Sequence, residues 1–204
     1  MKPLIVANWK MNPASLADAK KLFNAVKSTR TIICPPFVYL SALKASGSQD
    51  CFWENSGAFT GEVSPKMLKD LGVEYVILGH SERRRYLGET NEMIDKKIKA
   101  CLAAGLKPIL CVEKPEQIKK WQDIIIAFEP VLAIGTGEPF DIQKAKKMRE
   151  SLFGFPVVLY GGSVDSKNAS DYIKKAGFQG LLVGTESLSA KEFIKIAKAV
   201  DSVD

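Results

Sequence analysis

The chain of 204 residues contains no long apolar run, no block of like charge, a single histidine and no closely paired cysteines. Each absence excludes something. The N-terminal stretch MKPLIVANWKMN offers only five apolar residues, Pro3–Ala7, before Asn8 and Lys10. That is too short for a signal peptide core or a membrane span, so a cytoplasmic protein is expected. The net charge is +6, yet the lysines are scattered through helix-like segments such as KKLFNAVK, DKKIKA and KAKKMRE. Nucleic-acid binding wants a basic stripe with interleaved aromatics, and none is present. A solvated lysine-rich surface explains the charge, with steering of a small anionic substrate as a possible addition. Cys34, Cys51, Cys101 and Cys111 show no CxxC spacing. In a cytosolic protein that pattern means free, mostly buried thiols rather than disulfides or a zinc site.

What is present is a regular alternation. Short apolar runs rich in β-branched residues occur at 4–8, 31–34, 49–53, 74–79, 107–112, 124–129, 157–161 and 180–184. Amphipathic helical patterns lie between them, at 15–27, 89–105, 141–153, 166–177 and 189–200 among others. Asp165 or Ser166 is the expected cap of one helix, and Gly105 and Gly177 stand just past helix ends. Strands without polar alternation, each followed by a helix, imply a parallel sheet covered on both faces. Eight such units fit one domain over residues 1–204, an α/β fold of the (β/α)8-barrel type. An open doubly wound sheet usually carries a glycine fingerprint after its first strand, and here that strand ends in NWK. The barrel is compact, and most of the shortening falls in the fifth unit. A short or irregular helix is expected between Lys114 and Trp121.

In such a barrel the C-terminal ends of the strands share one mouth. Strand 1 ends at Asn8 and Lys10, strand 4 at His80 with Ser81 and Glu82, and strand 6 at Glu129. Strands 7 and 8 end in the glycine-rich turns YGGSV and VGT. Taken singly, Lys10 reads as a surface lysine, and a lone histidine is as often structural as functional. Glu129 is harder to dismiss, because burial raises a carboxylate's pKa and suits it to act as a base near neutrality. The loops after strands 7 and 8 are the usual phosphate site of this fold. Together a base, a polarising histidine, a lysine and an anion cradle point to proton abstraction beside the carbonyl of a small phosphorylated substrate.

The stretches NWKMN (8–12), GAFTGE (57–62), GHSERR (79–84), EPVLAIGTG (129–137) and YGGSV (160–164) resemble triosephosphate isomerases, in the family's order and across essentially the whole chain. The resemblance implies a TIM barrel that interconverts dihydroxyacetone phosphate and D-glyceraldehyde 3-phosphate through an enediolate, with neither cofactor nor metal. Position by position it makes Glu129 the proton-shuttling base and His80 the neutral electrophile. Lys10 becomes a stabilising cation with Asn8 beside it, and Glu82 a supporting carboxylate. It implies a lid from Pro130 to about Phe140 with the Gly135 amide reaching the phosphate, and a cradle completed by Ser163 and the amides of Gly184 and Thr185. It also implies a homodimer docked through the 57–62 loop, with Thr60 near its tip.

Three places depart from the family. Leu132 stands where tryptophan is usual in the first lid hinge, and Glu138-Pro139-Phe140 replaces the second, so altered lid kinetics are expected. Thr185 replaces a glycine of the phosphate loop and would be strained if that position required φ > 0. Two other readings are an isomerase of another small sugar phosphate and a phosphate-binding barrel without catalysis. The second predicts damage at Lys10, His80 or Glu129, and all three are intact.

Overall fold

The computed structural model describes residues 2–27, 31–118, 121, 123–130 and 140–202. Eight strands form one parallel sheet: β1 (Leu4–Asn8), β2 (Thr31–Cys34), β3 (Gly47–Ser48), β4 (Tyr75–Leu78), β5 (Lys107–Val112), β6 (Ile125–Phe128), β7 (Val158–Tyr160) and β8 (Gly180–Val183). Their hydrogen-bonded order is β2-β1-β8-β7-β6-β5-β4-β3. The two ends of that order, β2 and β3, touch without a ladder between them, so the barrel is nearly closed.

The apolar strands are continuous because both faces are covered. Val6, Ile32, Ile77, Ile109, Ala127, Leu159 and Leu182 fill the barrel interior with Cys34 and Cys111. Their neighbours Ile5, Ala7, Ile33, Val76, Leu78 and Leu110 face outward into the larger core beneath the helices. All four cysteines are free and buried, as their spacing implied.

The helices are α1 (Leu16–Val26), α2 (Leu40–Leu43), α3 (Pro65–Asp70), α4 (Ser81–Leu87), α5 (Asn91–Ala103), α6 (Ile142–Ser151), α7 (Ala169–Lys174) and α8 (Ala190–Asp201). The sequence sets their starts through caps. Ser15 Oγ accepts the Asp18 amide at 3.1 Å to open α1, and Thr90 accepts the Met93 amide to open α5. In α8, Phe193, Ile196, Ala197 and Val200 recur on one face and are buried. Each large side chain there contributes roughly 1.5–3 kcal/mol of burial. Phe193→Ala would cost about 3–5 kcal/mol through the cavity it leaves.

Two expectations are corrected in detail. The third strand lies at Gly47–Ser48, not at 49–53. A Cβ on Gly47 would sit 2.7 Å from Ile32 Cγ2, so only glycine allows β3 so close to β2. Phe52 and Trp53, which resemble strand residues, instead stack on each other at 4.0 Å, with Phe59 alongside Phe52. The cap of α7 is Asn168, and Asp165 leads into it by accepting the Lys167 and Asn168 amides at 2.8 and 2.9 Å. The fifth unit is reduced as expected, to a single 3-10 turn at Pro115–Gln117 among its described residues.

Candidate active site

The site grows from the ends of the strands. Asn8, the last residue of β1, is buried, and its Oδ1 accepts the Lys10 amide at 3.0 Å. That tight turn leaves Lys10 at φ +53°, a conformation few residues with a Cβ adopt. The Lys10 ammonium reaches back to Glu82 Oε1 at 2.6 Å. β4 runs out into His80, which caps α4: its Nδ1 accepts the Glu82 amide at 3.2 Å. A ring nitrogen that accepts an N–H carries no proton, so neutral His80 holds its proton on Nε2. Nε2 faces Glu129 Oε1 at 3.2 Å.

Glu129 leaves β6 only 3% exposed, and the Ser81 amide donates to its other oxygen at 3.3 Å. Gly161, after β7, makes room for it, since a Cβ there would lie 3.1 Å from Glu129 Cγ. Burial acts against a charged His80, but the Glu129 carboxylate, helped by Glu82, outweighs it, so the histidine's pKa is raised. Beneath them the Cys111 thiol is held well above its usual pKa, by burial first and then by the adjacent Glu129 carboxylate to which it hydrogen-bonds. It is therefore a neutral S–H.

Asn8, Lys10, His80 and Glu129 line one cavity of about 260 Å³, together with Ser163, Gly184 and Thr185. That suits a ligand smaller than a drug-sized molecule. The strain foreseen for Thr185 does not arise, because the non-glycine residues with positive φ among those described are Lys10, Lys44 and Asp123. Thr185 instead opens a 3-10 turn that runs to Leu188. Leu132, Gly135, Glu138 and Pro139 lie outside the described residues. Phe140, the last residue of the expected lid, accepts the Tyr172 hydroxyl at 2.8 Å and meets Phe128 edge to face. Thr60 is not part of this cavity; it sits on the exposed 57–62 loop. Sequence reasoning missed the Ser81 amide, Gly161 and Cys111. The first carried a signal as the residue beside His80 in GHSERR and the second as a glycine of YGGSV, whereas Cys111 carried none.

Fold and site together define a (β/α)8 barrel with a carboxylate–imidazole pair at its C-terminal mouth and the loops after β7 and β8 lining the same cavity. The family model described as triosephosphate isomerase matches residues 3–200. Proteins named triosephosphate isomerase from Aquifex aeolicus and Alkaliphilus oremlandii are 39% and 37% identical, each over 96% of this chain and 98% of the relative. One from Dehalococcoides mccartyi is 39% identical over 97% of this chain and 96% of its own. This chain belongs to the triosephosphate isomerase family. The first two alignments run over 244 positions against 204 residues here, so the relatives carry segments that this chain lacks.

Proposed function

We infer that the chain interconverts dihydroxyacetone phosphate and D-glyceraldehyde 3-phosphate, with Glu129 as the base that moves the proton between adjacent carbons. The observation that carries this is the facing of His80 Nε2 and Glu129 Oε1, 3.2 Å apart, on the wall of the cavity. In the free site Glu129 is occupied by three donors, His80 Nε2, the Ser81 amide and, from beneath, the Cys111 thiol. Substrate takes the histidine for itself. Nε2–H then donates to the substrate carbonyl, and Glu129 is free to turn to the neighbouring carbon. As the proton leaves, negative charge collects on that oxygen, where the His80 proton and the Lys10 ammonium stabilise it. With the Glu129 carboxylate drawn away and then protonated, the main influence raising the His80 pKa is lost and burial keeps the ring neutral. A neutral donor is what an enediolate oxygen needs if it is to be reprotonated afterwards.

The cradle for the phosphate is Ser163 with the backbone at Gly184 and Thr185, and Lys10 adds charge complementarity. Glu82 holds the Lys10 ammonium at the mouth. In a coupled isomerase assay, Glu129→Gln is expected to lose about 10²–10⁴-fold in turnover. Rates comparable to the unsubstituted protein would sink the assignment.

The assembly proposed is a homodimer through the 57–62 loop. Met11, Val38, Phe59, Tyr86 and Leu87 are exposed by 92%, 77%, 43%, 69% and 65%. They follow β1, β2, β3 and β4, which are neighbours around the barrel, so one half of its rim carries apolar surface that a monomer would leave wet. Light scattering after size exclusion is expected to give twice the chain mass; the mass of one chain would refute the dimer. No helix among the described residues is long and apolar enough to cross a membrane. The cytoplasm is the proposed location for the reaction.

A further inference from the structure

Gln49 follows β3 immediately, at the seam where β2 and β3 touch without ladder pairing. Its Nε2 donates to the Lys10 carbonyl and to the Cys34 carbonyl, both at 2.8 Å. Two hydrogens meet two acceptors, so the donor side of the amide is fully used. The Cys34 carbonyl also accepts the Trp9 amide at 3.2 Å. The turn that carries Lys10 is thus tied at three points: the Trp9 amide to β2, the Lys10 amide to Asn8 Oδ1, and the Lys10 carbonyl to Gln49. Left-handed backbone at a residue with a long side chain persists only where its surroundings hold it. At Lys10 both the N–H and the C=O are held by side chains, and the one on the carbonyl comes from another strand end, 39 positions away.

We propose that Gln49 is a positioning residue for the isomerase reaction, fixing the φ +53° backbone of Lys10 so that its ammonium projects into the catalytic mouth. The inference rests on the reading of Lys10 as the cation that meets the substrate. A side chain that only closed the seam would change stability without changing how well the folded enzyme binds and turns over its substrate. One that places Lys10 changes kcat/KM at full folding, because a displacement on the order of 1 Å in a charged contact costs up to about 100-fold.

The test uses the full chain with Gln49→Leu, Gln49→Glu and Lys10→Met, assayed with the triose phosphate and with a phosphorylated carboxylate that mimics the enediolate as competitor. Gln49→Leu, which lacks both donors, is expected to lower kcat/KM about 10- to 100-fold and weaken the competitor in parallel, after correction for folded fraction. Gln49→Glu keeps the side-chain length and can donate one hydrogen bond only while its carboxyl is protonated. Its kcat/KM is therefore expected to fall with rising pH through a step that the unsubstituted enzyme lacks. A Gln49→Leu protein within twofold of the unsubstituted enzyme overturns the inference. So does a loss that the folded fraction fully explains. If Gln49→Leu does not fold, Gln49→Glu decides, and a pH profile parallel to that of the unsubstituted enzyme overturns the proposal. Lys10→Met separates the two levels: were it within twofold in kcat/KM, the role given to Lys10 would fail, and not merely the role of Gln49.

Discussion

Two groups of four ionisable side chains meet at α4, and neighbouring residues of that helix serve different ones. Glu82 belongs to the open group with Lys10, His80 and Glu129, which lines the cavity. Arg83, the next residue, belongs to a closed group with Asp50, Glu89 and Lys97. In the closed group Lys97 donates to both Asp50 oxygens, at 2.9 and 2.8 Å, and to Glu89, while Arg83 Nη2 lies 2.8 Å from Asp50. Its two carboxylates and two cations balance, and Asp50, Glu89 and Lys97 are all buried. Burial still pushes the Asp50 pKa up to about 6, outweighing the pull of Lys97 and Arg83. In the open group a carboxylate and an imidazole are equally buried but face space that a ligand can fill. The difference teaches that burial and pairing do not mark catalysis. What marks it is a pair whose donors can be handed to a substrate.

The sharpest way to break the comparison is to remove one cation from the closed group. Lys97→Met leaves the Asp50 and Glu89 carboxylates buried together, and about 3–5 kcal/mol of stability should be lost. Urea unfolding reads the loss, while the folded fraction keeps its kcat within a few-fold; a large drop in kcat of the folded protein would place Lys97 in the active site instead. A smaller effect follows from Gly161→Ala. The added Cβ, 3.1 Å from Glu129 Cγ, pushes that carboxylate aside, so kcat should fall roughly tenfold with little change in unfolding midpoint if Glu129 is the base we propose. The smallest effect is one of titration. The raised pKa of His80 means that this group's contribution to stability is fully present below about 6.5 and fades as pH rises through the higher folded value. Glu129→Gln removes the main raising cause, so the pKa of this single histidine, followed by NMR, should drop and the fading should move to lower pH. An unmoved resonance would show that Glu129 does not govern His80.

Much of this was legible in the residues, for physical reasons that also mark where reading stops. The bounds of β1, β2 and β5 follow from continuous β-branched runs that only a doubly covered parallel strand explains. The third strand was misplaced because its pairing segment is only Gly47–Ser48, whereas the aromatic QDCFW stretch uses its rings in a loop stack. Lys10, His80 and Glu129 stood out because each is polar at the end of an apolar strand. Cys111, Gln49 and the Ser81 amide did not, since their parts depend on what the barrel brings together across 18, 39 and 48 positions. At Thr185 the worry about strain turned on the sign of a dihedral, which no side chain announces.

The central claim is that a buried carboxylate, Glu129, carries the proton from one carbon of the triose phosphate to the next. Running the isomerisation in deuterated water tests it most directly. With the unsubstituted enzyme, deuterium should appear on the carbon beside the product's carbonyl as the protonated Glu129 carboxyl exchanges with solvent, and Glu129→Gln should lower the rate of that incorporation by the same factor as the turnover, about 10²–10⁴-fold. Turnover and incorporation that both survive Glu129→Gln unchanged would contradict the account.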